Sequence, residues 1–344
     1  MARPVTRPLP VGAAAAAATA PGPARPWGRL RPGVVALLAA ALALCSLIWM
    51  FQGLGGGNRS FILWLRAVKL GGLITVGASV AVATVLFQTV SANRVLTPSI
   101  MGFDALYVLL QTLLVASAGV TGFAAIDPAA KFLAEVAVMV LLAGLLFGAL
   151  LGRGARDIPR MILTGVILGV MFRSISGFIA RILDPNSYAV VQSVSFASFG
   201  RIDATLLLPG AAIAAVAIAA ALALAPRLDV LALGRTAAVS LGLRFDRMVV
   251  MSLALVAVLV SVSTALVGPV AFFGLLVAGM AHGLAPSDRH AVLLPTAGLI
   301  GALILVAGQT LFERALAQPA TLSVVVEFLG GLFFLYLLLR GRIR

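Results

Sequence analysis

Long intervals without a charged residue constrain this chain more than any other feature of its sequence. A helix needs about 20 apolar residues to cross the hydrocarbon core of a bilayer, so such intervals predict membrane spans. The uninterrupted intervals are Pro32 to Asn58, Leu70 to Asn93, Ala105 to Ile126, Val136 to Gly152, Ala204 to Pro226, Met248 to Ser287 and His290 to Phe312.

Two further apolar stretches contain charges. Arg173 and Arg181 interrupt the stretch from Met161 to Ile182, and Glu327 interrupts the stretch from Ala315 to Leu339. The interval from 248 to 287 is 40 residues long, and Gly268-Pro269 near its middle favours a break into two helices. The chain therefore offers ten membrane segments.

The composition agrees with a polytopic membrane protein. Hydrophobic residues make up 62% of the 344 residues and charged residues 10%, whereas soluble domains contain about 45–50% apolar and about 25% charged residues. Because the apolar residues are spread along nearly the whole chain, a soluble enzyme with one membrane tail and a disordered chain are both excluded. The predicted fold class is all-α, with about ten transmembrane helices.

The net charge of +14 has two explanations, a surface that binds nucleic acid or a topology signal. If the N-terminus is cytoplasmic, 17 of the 25 basic residues lie in inner segments, as the positive-inside rule requires. This predicts a multi-pass protein of the cytoplasmic membrane with both termini inside, and no nucleic-acid partner. Residues 1–32, rich in Arg, Pro and Ala, are expected to form a disordered cytoplasmic tail before a transmembrane domain at 33–344.

Residues suited to catalysis are scarce. The two histidines, His282 and His290, lack the spacing and partners of a metal site, and Cys45 is the single cysteine. No Gly-rich phosphate loop carries a lysine. We therefore predict that the chain is not an enzyme and has no metal or cofactor, and that any uphill transport is driven by an ion gradient or another subunit.

One inner segment, within residues 226–248, is longer and more amphipathic than a simple connection. From Arg227 to Arg247 it reads RLDVLALGRTAAVSLGLRFDR, with small and apolar residues between the charges. Such a segment is suited to insertion into a groove on a partner protein. The alternative is an interfacial helix held by lipid headgroups.

Short motifs follow one another in a specific order along the chain: LRAVK (65–69), NRVLTPSIMG (93–102), LGR (233–235) before SLG (240–242), GPVAFFGL (268–275), and DRH (288–290) before LLP (293–295). With these motifs, the chain from about Phe61 to its C-terminus resembles the permease subunits of the iron-siderophore and vitamin B12 class of ABC importers. The variants NRVLTPSIMGFD (93–104) and ILDPN (182–186) are similar to the branch that handles ferric catecholate or mixed siderophores.

The resemblance implies a type II ABC importer permease fold of ten membrane helices. It also implies four partners: a second permease subunit, identical or related; a cytoplasmic ABC ATPase dimer that performs the hydrolysis; an extracytoplasmic siderophore-binding protein; and a ferric siderophore as substrate. The ATPase is expected to dock between helices six and seven, on the segment already noted. The coupling residues expected there are Leu233, Gly234, Arg235, Ala238, Leu241 and Gly242.

Basic residues at the outer end of span two run against the positive-inside bias. Arg66 and Lys69 are spaced i and i+3, so they share one face of a helix. The resemblance implies that they pair with acidic residues of the binding protein, with Arg314 as the matching residue near the end of span nine. The alternative is that they snorkel to lipid headgroups.

Arg173 lies deep in its span, about 20 Å from Arg160 at the inner edge. A bare Arg at this depth costs about 2.5–3.5 kcal/mol on insertion scales, so it should face water or a carboxylate. The sequence leaves two possibilities open, a residue of the translocation pathway or a buried pair with an intramembrane acid. The acids available are Asp104, Glu135 and Glu327. The same acids would bind protons in the alternative function, a proton-coupled secondary transporter of a small solute.

Overall fold

The structure is a computed structural model that describes residues 32–53, 58–151, 158–200, 202–315 and 322–339. All regular elements in these ranges are helical, which confirms the predicted fold class. The expected N-terminal tail, apart from its last residue, lies outside the described residues.

Ten apolar helices form the body of the described part of the chain. Within the described ranges, eight are long and apolar enough to cross a membrane and two are shorter. The long helices are α1 (Pro32–Phe51), α2 (Arg59–Ser91), α3 (Phe103–Ala125), α4 (Pro128–Leu151), α5 (Ile158–Ala180), α7 (Ala204–Ala223), α10 (Phe245–Val267) and α12 (His290–Thr310). The shorter apolar helices are α11 (Phe273–Leu284) and α13 (Leu322–Leu339), and the connections contain α6 (Pro185–Val194), α8 (Ala225–Leu231) and α9 (Arg235–Ser240).

Each predicted segment corresponds to one of these ten apolar helices. The predicted break in the 40-residue interval is present, because α10 ends at Val267 and Gly268 has φ +94°. The main difference lies in α2, which begins at Arg59 rather than at Leu70 and contains 33 residues. This helix is about 50 Å long, so its first turns extend past the charge-free interval.

The core of the bundle is built around α2, α10 and α12. These three helices are the most buried of the long helices, and α2 packs most extensively against the other two. At the α2–α12 crossing, a Cβ atom placed on Gly77 would lie 2.6 Å from the backbone of Gly301. The two backbones are therefore in direct contact, as small residues permit in membrane helices.

The two ends of the bundle are defined by contacts of α2. Near its C-terminus, Thr89 contacts His290 at the start of α12, and this end also carries α8 and α9. We call it the coupling end. Near its N-terminus, Lys69 contacts Glu313 beyond the end of α12, and we call this the opposite end.

Two helices leave most of their surface uncovered within the chain. The buried residues of α5 form a narrow stripe of Met161, Gly165, Gly169 and Ser176. Exposed apolar side chains of α13 are Val324, Phe328, Leu329, Leu332, Leu335, Tyr336 and Leu339.

Candidate functional site

The segment between α7 and α10 folds as two short helices at the coupling end. Two glycines delimit α9: Gly234 precedes it with φ +88°, and Gly242 follows it with φ +81°. L-residues with side chains rarely adopt this conformation. Around Gly242 the Leu243 amide donates to the carbonyl of Ala238 (3.0 Å), which closes the end of the helix.

An ion pair braces this segment against α10. The Arg235 guanidinium donates to both oxygens of Asp246, at 2.8 and 3.2 Å, and lies 5.2 Å from the centre of the Phe245 ring. Planar bidentate pairs fix orientation as well as distance. The orientation of α9 relative to the bundle is therefore set by side-chain contacts in addition to the backbone.

The segment between α7 and α10 has large apolar side chains that are exposed. Leu233, Val239 and Leu241 are 61%, 53% and 65% exposed, whereas Ala238 is fully buried. We name these three exposed side chains the docking surface. Of the predicted coupling residues, Leu233 and Leu241 belong to the docking surface, and Ala238 holds α9 against the fold.

His290 connects this segment to the core, a role that the sequence did not reveal. Its Nδ1 lies 2.6 Å from Oδ1 of Asp229 on α8, and its main-chain N–H donates to the same oxygen at 2.8 Å. On the other side of the ring, Nε2 lies 2.8 Å from the Thr89 hydroxyl on α2. The buried imidazole therefore joins α8, α12 and α2, and we call this set the histidine bridge.

His282, the other histidine, differs in its surroundings. Both of its ring nitrogens are enclosed and make no hydrogen bond within the described residues. It lies two residues before the end of α11. Proximity to the coupling end therefore does not by itself place a histidine in a connecting network.

At the opposite end, the structure places Arg66 inside the fold rather than on the surface. The side chain is 8% exposed, and Nη1 donates to the carbonyls of Met50 and Gln52 at 2.6 and 2.9 Å. These carbonyls lie at the end of α1, where a helix lacks internal donors. Trp49 Nε1 donates in return to the Arg66 carbonyl at 3.1 Å, so the two helices are joined by reciprocal hydrogen bonds.

Lys69 is partly exposed and has an acidic partner in its own chain. Its Nζ lies 3.4 Å from Oε1 of Glu313, whose second oxygen accepts a hydrogen bond from Gln309 at 3.0 Å. Arg314 follows in the Leu311–Ala315 turn, but its side chain falls outside the described part of the structure. Lys69 and Glu313 line a cavity of about 610 Å³ together with residues of α13 and of the chain after α6.

The helix α6 beside this cavity begins at the ILDPN motif. Asp184 is its N-cap, and its carboxylate accepts hydrogen bonds from the amides of Asn186 and Ser187 at 3.0 and 3.1 Å. Hydrogen bonds from Ser187 hold the pKa of the Asp184 carboxyl below its usual range. The motif therefore specifies a helix start.

Arg173 is exposed on the uncovered face of α5 and makes no ion pair with a described residue. Asp104, in the first turn of α3, lies within electrostatic range of both Arg173 and Glu327. Asp104 also lines a small cavity of about 10 Å³, the size of one water molecule, with Ser99. The structure thus brings the three predicted pathway residues into one region without a closed Arg–carboxylate pair.

Glu135 lies apart from this region, in a polar cluster of its own. Its Oε1 accepts a hydrogen bond from Gln111 Nε2 at 2.7 Å and lies 3.8 Å from Lys131 Nζ. The Lys131 ammonium also lies 3.7 Å from the centre of the Phe123 ring. These contacts satisfy the buried carboxylate locally.

Comparisons with known proteins agree with this architecture. A model of the FecCD transport family matches residues 32–340. The chain is 37% identical over 306 residues to the petrobactin import system permease protein YclO of Bacillus subtilis (strain 168), covering 89% of this chain and 96% of that protein. It is 34% identical over 280 residues to the petrobactin import system permease protein FatC of Bacillus anthracis, covering 80% and 78%.

A solved structure shares the fold. An inward-facing conformation of a metal-chelate type ABC transporter superposes with a TM-score of 0.74 at 20% identity, covering 89% of this chain and 98% of that chain.

Proposed function

Because the chain belongs to the FecCD transport family, we propose that it is the membrane permease of an ABC importer whose ATPase binds the coupling end. The docking surface carries this proposal. Leu233, Val239 and Leu241 are large apolar side chains that stay exposed although Arg235 and Asp246 tie their segment to α10. An apolar projection outside the membrane spans fits a groove on a partner subunit. Family membership sets aside the proton-coupled secondary transporter.

The substrate is proposed to be a ferric siderophore of the petrobactin type. Two relatives that are 37% and 34% identical to this chain are named as petrobactin import permeases. Uptake of iron-labelled petrobactin into proteoliposomes, with the binding protein, the ATPase and any second permease, tests the assignment. Transport of another chelate in preference to petrobactin would contradict it.

In this proposal the coupling end faces the cytoplasm and the opposite end faces the binding protein. The arginines at the coupling end are consistent with the positive-inside rule. At the opposite end, Lys69 and Arg314 are proposed to meet acidic residues of the binding protein, while Arg66 holds α1 in place. Exposed ion pairs contribute about 0.2–1 kcal/mol each, so these contacts would mainly set orientation and association rate.

A second permease subunit is proposed to cover α5 and α13, with the pathway between the subunits. Arg173 supports this, since it is exposed at membrane depth and has no acidic partner among the described residues. Contact with lipid would cost about 2.5–3.5 kcal/mol. An aqueous pathway beside Arg173, Asp104 and Glu327 removes that cost.

Substitution of the glycines that delimit α9 tests the docking proposal. Gly234→Val and Gly242→Val place a Cβ in open space, so the expected effect comes from the positive φ alone, about 1–3 kcal/mol of local strain each. We expect normal membrane insertion but a several-fold loss of uptake and of ATPase co-purification. Gly283→Val, also in open space near the coupling end but without a positive φ, is the control. Normal uptake and ATPase binding in both variants would contradict the proposal.

Arg66 and Lys69 are expected to respond differently to substitution. Arg66→Gln removes charged hydrogen bonds to the end of α1, at a cost of about 1.5–3 kcal/mol, and should lower the thermal unfolding midpoint of the purified chain.

Lys69→Glu should instead weaken binding-protein affinity by roughly 2- to 5-fold. Arg59→Glu, an exposed charge reversal at the same end, is the control for the second measurement. An equal loss in the Arg59 and Lys69 variants would show that only the overall charge matters.

A further inference from the structure

A basic cavity lies at the coupling end, beside but separate from the docking surface. It has a volume of about 440 Å³. Its lining residues are Arg227, Gly242, Leu243, Arg244, Arg247, Met248 and Met251.

The three arginines of this cavity have no acidic partner within the described residues. All three side chains are exposed and make neither a hydrogen bond nor an ion pair with described residues. The carboxylates nearest to them in the sequence have other partners: Asp246 pairs with Arg235, and Asp229 contacts His290. The cavity therefore carries an uncompensated positive charge, which an anion would neutralise.

The floor of the cavity is apolar and continues along a membrane span. Met248 is buried in the first turns of α10, and Met251 is 40% exposed about 9 Å beyond the helix start at Phe245. Val250 beside it is 47% exposed. In the proposed membrane orientation, the arginine head groups lie at the membrane boundary and uncovered apolar side chains lie immediately deeper. This order matches a phospholipid headgroup above its acyl chains.

The start of α10 borders the cavity, and its first turn contains one acidic residue, Asp246, which is paired with Arg235. Arg244 is the N-cap residue of α10 and makes no side-chain capping hydrogen bond. Main-chain amides at the first turn of a helix carry partial positive charge and favour a nearby anion.

We infer that this cavity binds the phosphate of an anionic phospholipid from the leaflet at the coupling end. The lipid would hold the start of α10 and the adjoining Gly242 next to the docking surface. This inference rests on the proposed membrane orientation. A protein carboxylate from the ATPase would match the arginines, but it would leave the apolar floor between Met248 and Met251 uncovered.

Lipid binding can be measured without transport. The purified full-length chain is delipidated in detergent and titrated with phosphatidylglycerol or phosphatidylcholine, and bound lipid is counted by native mass spectrometry. We expect preferential binding of phosphatidylglycerol. The double variant Arg244→Gln/Arg247→Gln should bind it roughly 10- to 30-fold more weakly, as expected for two arginines lost at an anionic membrane surface.

A matched double variant separates a specific cavity from general surface charge. Arg94→Gln/Arg289→Gln removes the same charge from exposed positions at the coupling end that do not line the cavity. It should retain phosphatidylglycerol binding. An equal loss in both double variants would overturn the inference. Unchanged lipid binding together with lost ATPase co-purification in the Arg244/Arg247 variant would also overturn it and assign the arginines to the ATPase interface.

Failure of the lipid inference and failure of the proposed function give different results. If phosphatidylglycerol does not bind while Gly242→Val still loses the ATPase, only the lipid inference is wrong. If the glycine variants bind the ATPase and transport normally while the lipid still binds, the docking proposal is wrong and the lipid cavity stands.

Discussion

Replacing His290 with alanine is expected to lower uptake per ATP hydrolysed by roughly tenfold. The substitution removes the ring that joins Asp229 on α8 to Thr89 on α2 at 2.6 and 2.8 Å. Without this ring, movement of the docking surface driven by the ATPase would no longer be transmitted directly to the core helices. The measurement is the ratio of siderophore uptake to ATP hydrolysis in the same proteoliposomes.

Conservative substitutions separate transmission from simple stability. Asp229→Asn keeps an oxygen that accepts the His290 hydrogen bonds and should preserve more coupling than Asp229→Ala. Likewise, Thr89→Ser keeps the hydroxyl, whereas Thr89→Val removes it at similar volume. In a double-mutant cycle, the Asp229→Ala and His290→Ala effects on the ratio should be strongly non-additive.

His282→Ala is the matched control, because that ring makes no hydrogen bond within the described residues. It should leave the ratio unchanged. A ratio that stays normal in the His290 variant, or that falls equally in the His282 variant, would contradict a role for the histidine bridge in coupling.

Arg173→Leu is expected to reduce siderophore uptake at least tenfold while the protein still inserts. A charged hydrogen bond is worth about 1.5–3 kcal/mol, which corresponds to roughly 10- to 160-fold. Arg173→Glu should be more severe if an anionic chelate passes this point, because the substitution also places a repulsive charge in the pathway. Arg173→Lys should retain part of the uptake.

Arg181→Leu provides a control from the same chain region, since Arg181 is exposed just beyond the end of α5. Initial uptake rates are compared at equal amounts of membrane-inserted protein. Wild-type uptake in the Arg173→Leu variant would contradict a role for Arg173 in the proposed pathway. The exposure of Arg173 would then be explained only by the second subunit that is proposed to cover α5.

The helices were predictable because the signal for a membrane span is local and strong. A break at Gly268-Pro269 could be predicted from the two residues themselves, and the amphipathic character of residues 227–247 distinguished the segment that contains α8 and α9. These features depend on short stretches of sequence. The lengths of α2 and α4 were less predictable, since both helices begin before the first residue of their charge-free interval and so include charged residues.

The contacts of individual side chains were not predictable in the same way. Arg66 resembled an exposed charge, because nothing near it in the sequence shows that α1 ends against its guanidinium. His290 and Asp229 are 61 residues apart, and their pairing depends on how α8 is placed against α12. Such roles arise from tertiary packing and leave no periodic pattern in the sequence.

The contact between Gly77 and Gly301 has a consequence for how the protein is made. The two glycines are 224 positions apart in the sequence, so α2 enters the membrane long before α12, its packing partner, has been synthesised. The central crossing can close only after α12 has been inserted, which makes it one of the late steps of assembly. A chain that stops before α12 would leave the small-residue face of α2 without its partner.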